Sequence, residues 1–110
     1  MGRFIKGDIV VVPFPFSDLS TSKRRPALVL AASRGDDLIL CQITSQTVRD
    51  DMAVTVAESD IEDGTLNTES NVRPNKLFTA DKSIILYRVG TLQKEKLNEV
   101  VENVVKLIQN

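Results

Sequence analysis

The hydrophobic pattern of this chain changes its period once, near Gly90, and that change constrains the fold class. Before Gly90, apolar residues come in short runs rich in Val and Ile, bounded by Pro, Gly and polar clusters, which is typical of β-strands. From about residue 93 the apolar spacing becomes i, i+3, i+4 and i+7, which predicts an amphipathic helix. Its apolar positions are Leu97, Val100, Val101, Val104, Leu107 and Ile108. Valine is a poor helix former, so we expect packing against a sheet to supply most of the helix's stability.

Several short strands are predicted before the helix. They cover residues 8–12, 26–31, 38–43, 52–56, 71–73, 76–78 and 84–89. We expect the first strand to end before Pro13, because proline cannot continue inside a central strand. The sequence Arg34-Gly35-Asp36 is a hairpin signal between the second and third strands.

Residues 59–64 are predicted to form one helical turn. Ser59 is the expected cap, Glu62 completes a capping box and Gly64 ends the turn. Evenly spaced strands closed by a terminal helix predict a mainly β chain. We therefore expect a strongly bent antiparallel barrel with a short helix and a C-terminal amphipathic helix.

The length of 110 residues fits a single domain covering residues 1–110. Cys41 is the only cysteine and lies in an apolar run, so we interpret it as a small buried hydrophobe. One cysteine cannot form an internal disulfide, which fits a reducing compartment. No segment approaches the roughly 20 apolar residues that span a bilayer. These features predict a soluble cytoplasmic protein with no membrane partner.

The charge pattern limits the chemistry. The net charge is −1 and the pI about 5.4, so any contact with nucleic acid must use a local basic patch. The chain has no histidine, which excludes His-based metal sites and Ser-His-Asp triads. Carboxylates crowd residues 50–69, but they are scattered over predicted loops, so we interpret them as a solvated face and not as a Mg²⁺ cluster. No metal or cofactor is predicted.

The segment from residue 6 to residue 30 holds the most informative chemistry. Pro26 favours an extended conformation for Arg25. A guanidinium fixed at a strand entrance suits a phosphate or a scissile phosphodiester. The alternative is a solvated basic turn that keeps the strand edge soluble, and spacing alone leaves both open. In the same way, Phe14 and Phe16 either stack on unpaired bases or pack in the core.

The order of these motifs resembles the MazF/PemK family over nearly the whole chain. The matching pieces are Lys6-Gly7-Asp8-Ile9, Arg25-Pro26-Ala27-Leu28-Val29-Leu30, Ile43-Thr44-Ser45-Gln46, Val72-Arg73-Pro74-Asn75 and Val89-Gly90-Thr91-Leu92. The resemblance implies an SH3-like barrel, a homodimer and an endoribonuclease toxin that cuts single-stranded RNA. It also implies a cognate antitoxin whose extended C-terminal segment blocks the RNA site, and DNA binding by the toxin–antitoxin complex.

The resemblance also implies roles for particular residues. Arg25 corresponds to the family's catalytic arginine, Thr44 to the hydroxyl residue that holds the scissile phosphate, and Arg73 to a second arginine that some members use. The predicted substrate-binding residues are Arg24, Ser45, Gln46, Asn75, Lys76 and Phe16.

Two positions depart from the family pattern. Residues 20–24 read Ser-Thr-Ser-Lys-Arg where a Ser-Glu-Gln-like stretch is common, and Asn75 occupies the place of an aspartate base. Asparagine cannot take up a proton at neutral pH.

The predicted chemistry is attack by the RNA's own 2′-hydroxyl without a metal ion, so DNA should not be cut. Arg25 and Thr44 would stabilise the developing charge. Asp18 is the candidate base, on a loop that can carry it over the substrate; the alternative is an Asx-turn residue. A non-catalytic SH3-like module that binds RNA or protein is the second functional hypothesis, supported by Asn75 and the altered loop. A purely structural subunit is the third.

Overall fold

Seven strands and one α-helix make up the described part of the chain, which is residues 4–14, 23–32, 35–46, 51–66 and 68–110 of a computed structural model. The strands are β1 (Asp8–Phe14), β2 (Lys23–Ala32), β3 (Asp37–Thr44), β4 (Val54–Val56), β5 (Ile61–Glu62), β6 (Ser70–Asp81) and β7 (Tyr87–Leu92). The helix α1 covers Lys94–Gln109 and confirms the predicted change of period.

The strands form one antiparallel sheet in the order β4-β6-β3-β2-β1-β7-β5. The two strands at its ends, β4 and β5, are consecutive in the chain and are joined by the 3-10 turn Glu58–Asp60. A short turn can connect the two ends only if the sheet bends round on itself. The fold is therefore a nearly closed barrel, and the predicted bent antiparallel barrel with a C-terminal helix is confirmed.

The central strands are buried on both faces. On one face Ile9, Leu28 and Cys41 belong to a core cluster that includes Val100 of α1. The residues next to them in sequence, such as Val10 and Ala27, belong to a second cluster, against which Phe4, Phe78 and Ile85 pack. Because alternate residues of a strand point to opposite faces, two buried faces require a continuous apolar run. This explains why β1 to β3 lack a polar alternation.

The predicted end of the first strand at Val12 is wrong, because β1 continues through Pro13 to Phe14. The pairing of β1 with β7 ends at Val11, whereas its pairing with β2 continues as Pro13 with Arg24. Pro13 therefore lies where β1 has one sheet neighbour among the described residues. Proline is tolerated at such edge positions because no second ladder is interrupted.

The predicted helical turn at residues 59–64 is also wrong in its position and its cap. The observed 3-10 turn is Glu58–Asp60, and Ala57 N–H donates to Asp60 Oδ2 at 2.9 Å. Ser59 lies inside this turn, and Glu62 belongs to β5. The difference arises because Asp60 supplies the side-chain oxygen and because the chain must return at once to pair with β7.

Two predicted strands, residues 71–73 and 76–78, are one strand, β6. Its register against β3 jumps at Pro74: Gln42 pairs with Arg73, and Cys41 pairs with Leu77. Pro74 and the two residues that follow therefore form a bulge, in which the missing proline N–H interrupts no ladder bond. Pro74 itself is buried.

The predicted strands at residues 52–56 and 84–89 have different bounds in the structure. The first is shortened to β4, and the second is displaced along the chain to β7 by the 3-10 turn Lys82–Ile84. Gly90 lies inside β7 and does not end it. A Cβ atom there would lie 2.8 Å from Ile61 Cγ2 and 3.1 Å from Gly64 Cα, so glycine allows β5 to approach β7 closely.

Candidate active site

A solvent-open pocket of about 310 Å³ lies where β2 begins and β3 ends. Its buried lining residues are Val11, Ile43 and Ser70, and its exposed lining is mostly polar. The lining residues are Val11, Arg24, Arg25, Pro26, Ile43, Thr44, Ser45, Thr65, Leu66, Thr68, Ser70, Tyr87 and Val89. Such an arrangement holds one part of a ligand away from water and leaves polar groups to orient the rest.

Arg25 is held in the pocket by the pairing of β1 with β2. It lies opposite Val12, and Pro26 follows it in the extended strand. The residue is half-buried, and its Nε is enclosed. Burial of the side chain's stem restricts its rotamers, so the guanidinium has a defined direction, and a fixed charge of this kind is suited to a phosphate.

Thr44 ends β3 and lies opposite Asn71 of β6. Its Oγ1 accepts the Gln46 N–H at 3.2 Å. A hydroxyl has one proton to donate and two acceptor positions, so this bond leaves the Thr44 proton for an acceptor in the pocket.

The structure brings Arg25 and Thr44 to the same place. The last paired residues of β2 and β3 are Ala27 and Gln42, and the same register continued for two residues puts Arg25 opposite Thr44. Both line the pocket, as do their neighbours Arg24 and Ser45. Four residues predicted from two distant segments of the sequence therefore meet at one opening.

Four of the remaining predicted residues lie outside the described lining of this pocket. Arg73 pairs with Gln42 and is diagonal to Thr44 on the same face of the sheet, half-buried with its Nε enclosed. Diagonal neighbours of this kind lie about 7–8 Å apart, within reach of a long side chain. Asn75 and Lys76 are exposed in the β6 bulge, and Gln46 is exposed just past Thr44. Asp18 and Phe16 lie outside the described residues.

Tyr87 is a pocket residue that sequence reasoning missed. It is 51% exposed and is the only aromatic residue among the described lining. In the sheet it lies opposite Val11, which in turn lies opposite Pro26. Two strand spacings, about 10 Å, therefore separate its backbone from that of Pro26. The sequence did offer a signal for Tyr87: it is the only tyrosine in the chain, and it lies within a predicted strand and next to Arg88.

No aspartate or glutamate is found in the lining that the structure describes. Across the described ranges, no three His, Cys, Asp or Glu side chains are grouped closely enough to hold a metal ion. The pocket's described chemistry is therefore that of two arginines and several hydroxyls.

No helix in the described part of the chain is long and apolar enough to cross a membrane.

Comparison with known proteins assigns the chain to a family. Residues 5–108 match the model of the PemK-like, MazF-like toxins of type II toxin–antitoxin systems. The chain belongs to this family. No curated protein sequence matches it.

Solved structures show the same MazF-like fold. The crystal structure of MazF from Deinococcus radiodurans has a TM-score of 0.79 at 21% identity, with all of both chains covered. The MazE–MazF structure from the same organism has a TM-score of 0.77 at 19% identity, covering 98% of this chain and 97% of that one. An endoribonuclease in complex with its cognate antitoxin from a mycobacterial species has a TM-score of 0.79 at 12% identity, covering 97% and 96%. At these identities the likeness establishes the fold.

Proposed function

We propose that this PemK/MazF-like toxin is an endoribonuclease that cleaves single-stranded RNA through the RNA's own 2′-hydroxyl without a metal ion. The observation that carries the proposal is that Arg25 and Thr44 line one solvent-open pocket from the ends of neighbouring strands. Family membership supports it, as does the similarity to structures described as endoribonucleases. The protein would act in the cytoplasm as one domain and as a homodimer.

Both the attacking oxygen and the departing oxygen belong to the RNA, so the main task of the protein is to stabilise charge. The 2′-oxygen attacks the adjacent phosphorus and loses its proton to a base, while the bond to the 5′-oxygen breaks and that oxygen gains a proton. The products are a 2′,3′-cyclic phosphate and a free 5′-hydroxyl. Arg25 would balance the added negative charge on the phosphorane, and the Thr44 hydroxyl would donate to a non-bridging oxygen.

Other residues are assigned supporting roles in the proposal. Arg24 and Ser45, beside the two central residues, would hold neighbouring phosphates. Arg73 would add a second positive charge from its diagonal position. Gln46, Asn75 and Lys76 would extend contacts beyond the pocket. Asp18 remains the candidate base, and Phe16 a candidate stacking residue.

Tyr87 adds a site for a base. An exposed aromatic ring in a pocket next to a phosphate-binding arginine is suited to stacking on an unpaired nucleobase. Thr65 and Thr68 line the same pocket, and their hydroxyls can donate to or accept from the edge of a base. We therefore propose that Tyr87 binds a nucleotide next to the scissile phosphodiester.

In the deciding experiment, purified protein is incubated with single-stranded RNAs of varied sequence in the presence of EDTA, and cleavage products are measured. We expect cleavage that leaves a cyclic phosphate, and no cleavage when a deoxynucleotide replaces the ribonucleotide on the 5′ side of the cut. Intact RNA with a folded wild-type protein would contradict the proposal.

A non-catalytic RNA-binding module is the second candidate, favoured by the absence of a carboxylate from the described lining. It would bind the same RNAs without cutting them, which an electrophoretic mobility assay on the same samples distinguishes.

An antitoxin is the proposed protein partner. Its extended segment would occupy the pocket of Arg25 and Thr44, so a peptide from it should compete with a labelled oligonucleotide. Unchanged RNA binding in the presence of saturating antitoxin would contradict this. The homodimer is tested by measuring the mass in solution with light scattering.

A further inference from the structure

A chain of side-chain hydrogen bonds crosses three strands and ends at Thr44. Thr55 Oγ1 donates to Asn71 Oδ1 at 3.0 Å, and Asn71 Nδ2 donates to the Gln46 carbonyl at 3.2 Å. The Gln46 N–H then donates to Thr44 Oγ1 at 3.2 Å. The sheet register places the same residues in one row, with Thr55 opposite Asn71 and Asn71 opposite Thr44.

Asn71 is the central link because its amide uses both of its ends. Its oxygen accepts from Thr55 and its nitrogen donates to Gln46, so the two bonds together fix which way the amide points. Fixing the Gln46 carbonyl restrains the whole residue, including the N–H that Thr44 accepts. Gln46 itself is exposed and lies just past the end of β3, where no ladder bond in the described structure holds it.

The orientation of the Thr44 hydroxyl matters for the proposed chemistry. The side chain has three staggered χ1 positions, and rotation moves the hydroxyl to a different place. The Gln46 N–H favours the position in which Oγ1 faces Gln46. With one acceptor position used in this way, the remaining proton has a restricted set of directions, which lowers the cost of aligning it in the transition state.

We propose that Asn71 is a positioning residue, which orients the Thr44 hydroxyl through Gln46 and does not touch RNA itself. This inference rests on the proposed nuclease function. Asn71 lies outside the pocket's lining, which agrees with an indirect role. Thr55 supports Asn71 from the far side and is one step further from the reaction.

The test is a double-mutant cycle on RNA cleavage. Asn71→Leu keeps a branched side chain of similar shape but removes both polar atoms. We expect kcat to fall by about 10- to 100-fold with KM unchanged, since small misplacements of a reacting group can cost up to about 10². In a Thr44→Val background, Asn71→Leu should have no further effect, because no hydroxyl is left to position. Thr55→Val should give a smaller loss, and Asn98→Leu on the exposed face of α1 is the matched control.

Additive effects of Asn71→Leu and Thr44→Val would overturn the inference, as would a rise in KM with kcat unchanged. A loss of kcat that follows a loss of folded protein in thermal unfolding would also overturn it.

A second measurement separates this inference from the proposed function. The χ1 population of Thr44, obtained from NMR scalar couplings, is expected to be dominated by one rotamer in the wild type and averaged in Asn71→Leu. Identical Thr44 rotamer populations in the wild type and in Asn71→Leu would refute the positioning role of Asn71 even if RNA is cleaved. If the wild type cleaves no RNA, the nuclease proposal fails, and the same couplings still decide whether Asn71 orients Thr44.

Discussion

Replacing Arg25 by alanine removes one of the two positive charges that line the pocket, the one whose position in β2 lies across from Thr44. The substrate phosphodiester carries one negative charge, and the phosphorane carries two, so only the interaction with the added charge affects the chemical step. For a guanidinium about 4 Å from that charge, with an effective dielectric constant of about 20, Coulomb's law gives about 4 kcal/mol. Since about 1.4 kcal/mol corresponds to a factor of ten, we expect kcat to fall by about 10³-fold.

Arg25→Lys should give an intermediate rate, because lysine keeps the charge but loses the planar fork that contacts two oxygens at once. The assay is single-turnover cleavage of a fluorescent RNA at saturating protein, which reports the chemical step without product release. Arg88→Ala is the matched control. Arg88 lies opposite Val10, is not among the described lining residues of the pocket and is paired with Asp63 at 2.8 Å, so its loss should leave the rate unchanged.

The reasoning would be refuted if Arg25→Ala cleaved within tenfold of the wild-type rate while remaining folded. Equal losses for Arg25→Ala and Arg88→Ala would also refute it, because the effect would then reflect net charge and not the charge in the pocket.

Three further predictions concern the exposed aromatic residue of the pocket and two buried positions. Tyr87→Ala should raise KM about tenfold while Tyr87→Phe stays near wild type, because stacking needs the ring and contributes about 1–3 kcal/mol per base; a loss in both variants would point to the hydroxyl. Burial raises the pKa of the Cys41 thiol to about 12, so above about pH 8.5 the unfolded chain loses this proton first. Stability should then fall with pH by up to about 1.4 kcal/mol per unit, and urea unfolding of Cys41→Val should lack that slope. Gly90→Ala should lower the free energy of unfolding by about 1–3 kcal/mol, because its Cβ would meet Ile61 and Gly64; an unchanged urea midpoint would contradict this.

The sequence allowed the fold to be predicted where periodicity and burial coincide. The helix was predictable because Val100 and its neighbours keep one apolar face along α1. Arg25 and Thr44 could be placed together only through the family resemblance. Their meeting depends on the register of β2 with β3, which pairs residues far apart in sequence and leaves no local signal.

The errors arose where tertiary contacts override a local rule. The proline rule predicts a strand end at Pro13, and Pro74 falls between two predicted strands, but each lies where the pairing has already changed, at an edge or in a bulge. The predicted strand 84–89 ends before Gly90, whereas Gly90 lies inside β7 and lets another strand approach. Tyr87 was missed because its place in the pocket depends on the β1–β7 pairing, which joins opposite ends of the chain.

The shortness of the two terminal strands of the sheet has a consequence for self-association. β4 has three residues and β5 has two, and the turn between them brings them together. An exposed sheet edge offers unpaired N–H and C=O groups on which a strand from another molecule can be templated. Here that template is shorter than the six- or seven-residue segments typical of cross-β stacking. Neither β4 nor β5 is therefore long enough to template such a segment from the folded state.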